Sequence, residues 1–380
     1  MAEIFEVGPC TNAYDLGFLI GSRFSALIRS RLSGDAVFQT HLLPFSDSPP
    51  AQSLIAALSE NNRTKYPHYW DELRGTADGS GVSLLHILLI NFRKEILPFV
   101  AGIHPDTVAI DSLDDCSDVL VVDDTAALAA HNEDADRSLV GHTYIVKAKL
   151  SGGGHFTAYT YAGELPSCAF GFNSSGLIFT LNSVPPSGRE IVSGGIGRNF
   201  VSRDLLEAAG IDDALRRIRS AEVAVGHSYN LLDVKKRRMA NVETASRNRM
   251  SVREIGSIPF FHANRYVHLE VDQVYDESSA AREARAAALP KKTKEEMLML
   301  LGDTDVEEHP IYMTGTRIAR LYSFLMKIMA SLQDLSCKHS ALLLWIWTKQ
   351  LSPLLMEIPS TRTLTYRTSS RSFETSITSH

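Results

Sequence analysis

Chemistry concentrates at Cys116, in the stretch Leu113-Asp114-Asp115-Cys116-Ser117-Asp118-Val119-Leu120-Val121-Val122. An acidic turn runs directly into a β-branched apolar segment, the pattern of a strand that opens at or beside the thiol. After the turn residues Asp123-Asp124 comes a second apolar run, Ala126 to Ala130, which ends in His131-Asn132-Glu133-Asp134. The spacing predicts a hairpin with a thiol at one end and a carboxylate near the returning end. A thiol held beside a carboxylate or histidine can act as a nucleophile in acyl transfer. The plainer alternative is a small hydrophobe at a strand edge, the ordinary fate of a free cysteine.

The elements that must position this hairpin follow from the rest of the chain. Tyr14 to Leu32 has apolar residues at helical spacing, with Asn12 as N-cap and Gly17 and Gly21 four apart for close helix packing. Pro44, Pro49 and Pro50 mark the next loop. Ala51 to Leu58 reads as helix, and Val82 to Leu97 as a buried helix stopped by Pro98. The part before Cys116 is therefore mainly helical, closed by a linker over Phe99–Asp115.

Beyond Cys116 the texture turns to strands. Thr143–Leu150 and His155–Tyr161 flank Ser151-Gly152-Gly153-Gly154, and Cys168–Phe172 and Leu177–Asn182 flank Asn173-Ser174-Ser175-Gly176, two hairpin signals. Helices are expected over Arg198–Ala209 and Asp212–Ala221, the second capped by Asp212. Strands resume at Ser228–Val234 and Met239–Thr244 around the basic turn Lys235-Lys236-Arg237-Arg238. This order is that of an α+β fold, with helices covering stacked sheets.

Composition narrows the function classes. The chain has 380 residues, 44% of them hydrophobic, enough for a large core. A net charge of −6 and a pI near 6.1 give no electrostatic reason for nucleic acid or an anionic membrane as partner. The basic turn accordingly reads as a solvated hairpin tip. Cys10, Cys116, Cys168 and Cys337 are too dispersed for a disulfide framework or a paired-cysteine metal site. His262 and His268 lack companion spacings for a metal centre, so no metal or other cofactor is expected. Gly194-Gly195-Ile196-Gly197 lacks the lysine of a phosphate loop and reads as a loop entering a helix. The start Met1-Ala2-Glu3-Ile4-Phe5-Glu6 has neither the basic nor the apolar region of a signal peptide, so the expected location is cytoplasmic.

Four motifs in order, Asp114-Asp115-Cys116-Ser117, Asn132-Glu133-Asp134, Gly171-Phe172-Asn173-Ser174-Ser175-Gly176 and His262-Ala263-Asn264, carry a family resemblance. The chain resembles the acyl-coenzyme A:6-aminopenicillanic-acid acyltransferase family, the C45 group of N-terminal-nucleophile hydrolases, and within it the plant-type members. β-Alanyl-amine hydrolases are other relatives. The resemblance runs from near the N-terminus to about Gly315. It implies the four-layer αββα sandwich of that class. It also implies autocleavage between Asp115 and Cys116, a helical part (1–115) and a strand-rich catalytic part (116–315) that stay associated, and a thioester acyl-enzyme at Cys116. Asp134 would bond the new ammonium or orient the substrate amine, and Asn264 would supply an oxyanion-hole donor. Glu164, in the loop Tyr161–Ser167, would face an amine-bearing substrate. The implied partners are a small acyl-amine and an acyl-CoA donor.

Two departures from the family keep a competing reading open, that of an inactive member or truncated isoform acting as a binding or structural protein. Asp115 stands where the penicillin enzyme pattern has glycine, which adopts strained conformations more easily. The tail 316–380, apolar over Ala341–Trp347 and Ser/Thr-rich from Thr361, reads as an alternative splice or frame product. Its apolar run falls short of the roughly 20 residues of a membrane span. Loss of closing strands would leave a sheet edge bare.

Overall fold

The computed structural model describes residues 2–100, 116–124, 126–135 and 137–313, with the backbone of short strands at 319–323, 325–327, 344–345 and 354–358. Expectations for Asp115, for most of the 99–115 linker and for most of the tail lie outside the described residues.

Among the described residues the chain opens with a strand, β1 (Glu3–Cys10), and five helices of eight residues or more: α1 (Ala13–Arg23), α2 (Ser25–Gly34), α3 (Pro49–Lys65), α4 (Pro67–Ser80) and α5 (Leu84–Asn91). Asn12 caps α1, its side chain accepting from the Asp15 amide at 2.8 Å. The expected single helix over Tyr14–Leu32 is two helices, because the chain breaks at Phe24 (φ −107°, ψ 20°), whose ring stacks on Tyr144. The glycines do set a close crossing. A Cβ at Gly17 would lie 1.9 Å from the Glu72 carbonyl oxygen and one at Gly75 2.1 Å from that of Tyr14, so α1 and α4 touch backbone to backbone. Gly21 and Gly79 repeat the arrangement one turn on.

After Cys116 come β2 (Ser117–Val122), β3 (Ala127–Ala135), β4 (Thr143–Leu150), β5 (His155–Tyr161), β6 (Phe170–Asn173) and β7 (Leu177–Asn182). Two helices, α6 (Arg198–Leu205) and α7 (Ile211–Arg219), precede β8 (His227–Asp233), β9 (Arg238–Ala245), β10 (Arg249–Ile255) and β11 (Phe260–His262). Helices α8 (Glu277–Ala288) and α9 (Lys294–Leu301) follow. Gly210, not Asp212, occupies the N-cap of α7. Asp212 is held by Lys236 and Arg238 from the basic turn, whose charges are thereby spent within the fold. Among the described residues no helix is long and apolar enough to cross a membrane.

The protein is a mixed α+β fold built on two sheets. The first runs β1-β4-β5-β6-β7-β8-β9-β10, with β1 parallel to β4 and every other pair antiparallel. The second contains β11-β2-β3, and β3 also pairs with the tail strands 319–323 and 354–358. The sheet edge expected to be bare is therefore covered along β3 by these tail segments. Period-two alternation divides the strand residues between cores. Tyr144, Val146 and Ala148 pack with Leu16, Leu58, Leu73 and Ile87 of the first helices. Ile145 and Tyr159 join Leu120, Ala127 and Ala129 between the sheets. Val119, Val121, Leu128 and Ala130 pack against Ala286, Met297 and Leu301 of α8 and α9. Helix α9 begins with a reciprocal capping box between Thr293 and Glu296.

Candidate active site

Register places the hairpin residues. Ser117 lies opposite Asn132 and Asp118 opposite His131, so β2 and β3 share faces two residues at a time. Asp118, His131 and Glu133 face the seam between the sheets. Ser117, Asn132 and, by alternation, Asp134 belong to the other face, where the Asn132 amide donates to the carbonyls of Leu301 and Ile311. Cys116 precedes β2 and its thiol meets Glu133 Oε2 at 3.1 Å. The carboxylate brought to the thiol is thus Glu133. Asp134 is buried on β3 and turns the other way.

A chain of polar contacts leads inward from the thiol. His131 Nε2 lies 3.0 Å from Glu133 Oε2 and its Nδ1 lies 2.9 Å from Asp118 Oδ2. Asp118 also accepts from Thr180 Oγ1 at 2.6 Å and Asn182 Nδ2 at 2.7 Å, both on β7 of the opposite sheet. Asn230 and Asn241 extend the network through Asn182 Oδ1 and Asn230 Oδ1. Burial disfavours charge on His131, yet Asp118 first and Glu133 second outweigh it, pushing its pKa up to about 10. The ring is an imidazolium at neutral pH and donates from both nitrogens. Tyr161 OH donates to the remaining Glu133 oxygen.

A second group holds the main chain of the cysteine. Arg282 of α8 is wholly buried and donates from Nη1 to Cys116 O at 2.7 Å and Ser117 Oγ at 2.9 Å. Its Nη2 donates to Asn264 Oδ1 at 3.0 Å. Arginine has no acceptor, so the Asn264 oxygen must face it and the amide nitrogen must face Ser183 O, 3.0 Å away. One guanidinium thus links Asn264 to Cys116. One hydrogen of the Asn264 amide goes to Ser183.

Glu164 lines a pocket with its carboxylate already engaged by protein groups. It is buried, pairs with Arg31 at 2.5 Å, and accepts from Asn199 Nδ2 at 2.8 Å and the Cys168 thiol at 3.2 Å. Burial, then the Glu164 charge, push the Cys168 thiol well up and keep it protonated. Arg31, Glu164, Lys94, Arg198 and Tyr161 line a pocket. Tyr161 joins that pocket to Glu133, and through it to the thiol. The histidines near Asn264 serve another carboxylate: His262 Nε2 lies 3.0 Å from Glu243 Oε1, and the amides of Val267, His268 and Leu269 donate to Glu243. Among the described residues, the metal-ligating atoms that do converge are those of Cys116, His131 and Glu133, all within 4.8 Å of one another.

Comparison with known proteins identifies the family. Residues 121–329 match the family described as acyl-coenzyme A:6-aminopenicillanic acid acyl-transferase, which is 209 of 380 residues and more than half of the chain. The chain belongs to that family. The matched span takes in β3 with His131 and Glu133, and Asn264 and Arg282; it begins after Cys116 and Asp118. A Drosophila melanogaster protein named beta-alanyl-dopamine/carcinine hydrolase is 28% identical over 315 residues, covering 76% of this chain and 80% of that protein. The match to the family ends at residue 329, so the remainder of the tail is outside it.

Sequence reasoning named Cys116, Asp134, Asn264 and Glu164 but did not single out His131, Glu133, Asp118 or Arg282. The usable signal was strand alternation: residues 131 and 133 share a face with 118, and 134 does not.

Proposed function

We propose that the protein is a cysteine amidohydrolase or acyltransferase of this family, acting on a small acyl-amine through a thioester at Cys116. The observation that carries it is the Cys116 thiol in hydrogen-bond contact with Glu133, one tyrosine away from a pocket. The order of packing, helices on sheet on sheet on helices, supports the four-layer arrangement of N-terminal-nucleophile hydrolases. In self-processing, Glu133 takes the thiol proton and Sγ attacks the Asp115 carbonyl. The peptide nitrogen takes that proton back from Glu133 as it leaves as the α-amine of Cys116, and water hydrolyses the thioester to free the Asp115 carboxylate and restore the thiol. The new α-amine, with an ordinary pKa of about 7.7–8.0, then serves as base for turnover. Sγ attacks the substrate carbonyl, the amine product departs with a proton, and water or an acceptor amine takes the acyl group. An acyl-CoA is a chemically equivalent donor, since it too is a thioester.

In this reading Arg282 fixes the Cys116 main chain, Asn264 donates its second amide hydrogen to the oxyanion, and Asp134 meets the ammonium. Loss of one oxyanion donor lowers turnover about 10²–10³-fold in other acyl-transfer enzymes. Incubation with a thiol-directed electrophile, followed by peptide mapping, tests the assignment. Adduct at Cys116, abolished turnover in Cys116→Ala and slow cleavage in Cys116→Ser are expected. Adduct at Cys10 or Cys168 in its place would sink it. The 2% exposure of Cys116 favours a second reading, an inactive member that binds without turning over. An acyl-amine screen with no product from protein correctly cleaved at Cys116 would select that reading.

A further inference from the structure

We infer that Cys116, His131 and Glu133 form a binding site for a thiophilic divalent cation such as Zn²⁺, which masks the thiol reversibly. The sulfur and the imidazole nitrogen each stand close to one carboxylate oxygen, Sγ to Oε2 at 3.1 Å and Nε2 to Oε2 at 3.0 Å. A tetrahedral zinc ion with bonds of about 2.0–2.3 Å spaces such donor atoms roughly 3.3–3.5 Å apart. The two donor pairs that share the carboxylate oxygen therefore need to change by only a few tenths of an ångström, and the three ligand atoms already lie within 4.8 Å of one another. They are also of suitable types, a soft thiolate, an imidazole and a carboxylate.

The surroundings resemble those of metal sites in a second respect. Asp118 Oδ2 holds Nδ1 of His131 at 2.9 Å, which directs Nε2 toward the thiol and the carboxylate. A carboxylate behind a ligating histidine orients the ring and raises its basicity. Asp118 is itself fixed by Thr180 and Asn182, so the ring cannot turn away without breaking contacts in both sheets. Three protein ligands leave a fourth position, as in zinc sites that exchange water. Tyr161, bonded to Glu133, also lines the pocket. The thiol and Nε2 protons leave as the ion enters, and a thiolate that shares its charge with the ion is a weaker nucleophile toward a carbonyl. Masking rests on the reading of Cys116 as nucleophile, whereas binding does not.

The test uses the full chain and Co²⁺ as probe. Titration should give one equivalent of tetrahedral visible absorption and a thiolate-to-metal ultraviolet band, both displaced by Zn²⁺. Cys116→Ser should abolish the ultraviolet band, and Cys168→Ala should leave it unchanged. Asp118→Asn should weaken Co²⁺ binding about 10–100-fold. In the unsubstituted protein, Zn²⁺ should slow alkylation of Cys116 by iodoacetamide at least tenfold, with a chelator restoring the rate. No tetrahedral absorption, or a band that survives Cys116→Ser, overturns the site. Co²⁺ binding by a protein that turns over no acyl-amine leaves the site standing and removes the hydrolase reading alone.

Discussion

At the scale of single residues, the most consequential group is one the motifs did not announce. His131 is an imidazolium between two carboxylates in a dry seam, and it ties β3 to Asp118, hence to β7. Its folded pKa, about 10, lies above the ordinary 6.5. A raised histidine pKa contributes stability that is fully present below pH 6.5 and is lost as pH rises through about 10. His131→Asn leaves Asp118 and Glu133 without their cation, and breaking a buried pair in this way costs about 3–5 kcal/mol. Urea unfolding of both proteins from pH 6 to pH 10 checks this. The gap between them should narrow steadily toward the alkaline end, and a gap independent of pH would refute the charged-histidine assignment. The residue was hard to find because all nine residues of β3 are buried, so no polar and apolar alternation shows which side chains face the seam. A run such as His-Asn-Glu-Asp reads as a turn when it is in fact the interior of a strand.

At the scale of elements, the hairpins were legible because glycine-rich turns separate β-branched runs. β4 with β5 and β6 with β7 fall within two residues of where their sequences place them. β1 was not legible: its burial is irregular and its partner, β4, is about 140 residues away. The break between α1 and α2 also escaped, since a tertiary stack, Phe24 on Tyr144, decides it. α8 and α9 were missed although Thr293-Lys294-Glu295-Glu296 is a readable capping box. Gly17 and Gly21 were read as a packing pair, whereas their partners Gly75 and Gly79 were not singled out; the crossing supplies a prediction. Gly17→Ala would put a methyl 1.9 Å from a backbone oxygen that cannot step aside. Overpacking of this kind costs about 1–3 kcal/mol or more. Gly34→Ala, with nothing within 4 Å, should leave the melting temperature unchanged or slightly higher. Equal melting temperatures for the two variants would show that α1 and α4 are not in backbone contact.

At the scale of the whole molecule, the parts before and after Cys116 are interleaved. β1 adds a parallel strand to β4, pairing Glu3 with Tyr144 through Val7 with Ala148. Glu72 of α4 forms a fully buried ion pair with Arg203 of α6, and the Asn91 side chain bonds the Gly163 carbonyl and the Leu165 amide. A helical part and a strand-rich part are therefore not independently folded domains. If the Asp115–Cys116 bond is cleaved as proposed, denaturing electrophoresis should show two fragments and native electrophoresis one species. Fragments that separate on native gels would contradict the interleaving. A single full-length mass in protein that still turns over substrate would rule out the free-amine mechanism.

The shared first sheet also changes what concentration means for such a protein. Two chains that meet across an ordinary interface obey mass action, and dilution pulls them apart. Two pieces of one sheet, joined before any cut is made, would separate only by breaking the β1–β4 ladder and the buried ion pairs together, so their dissociation would be slow. Activity per molecule would stay level however far the solution is diluted.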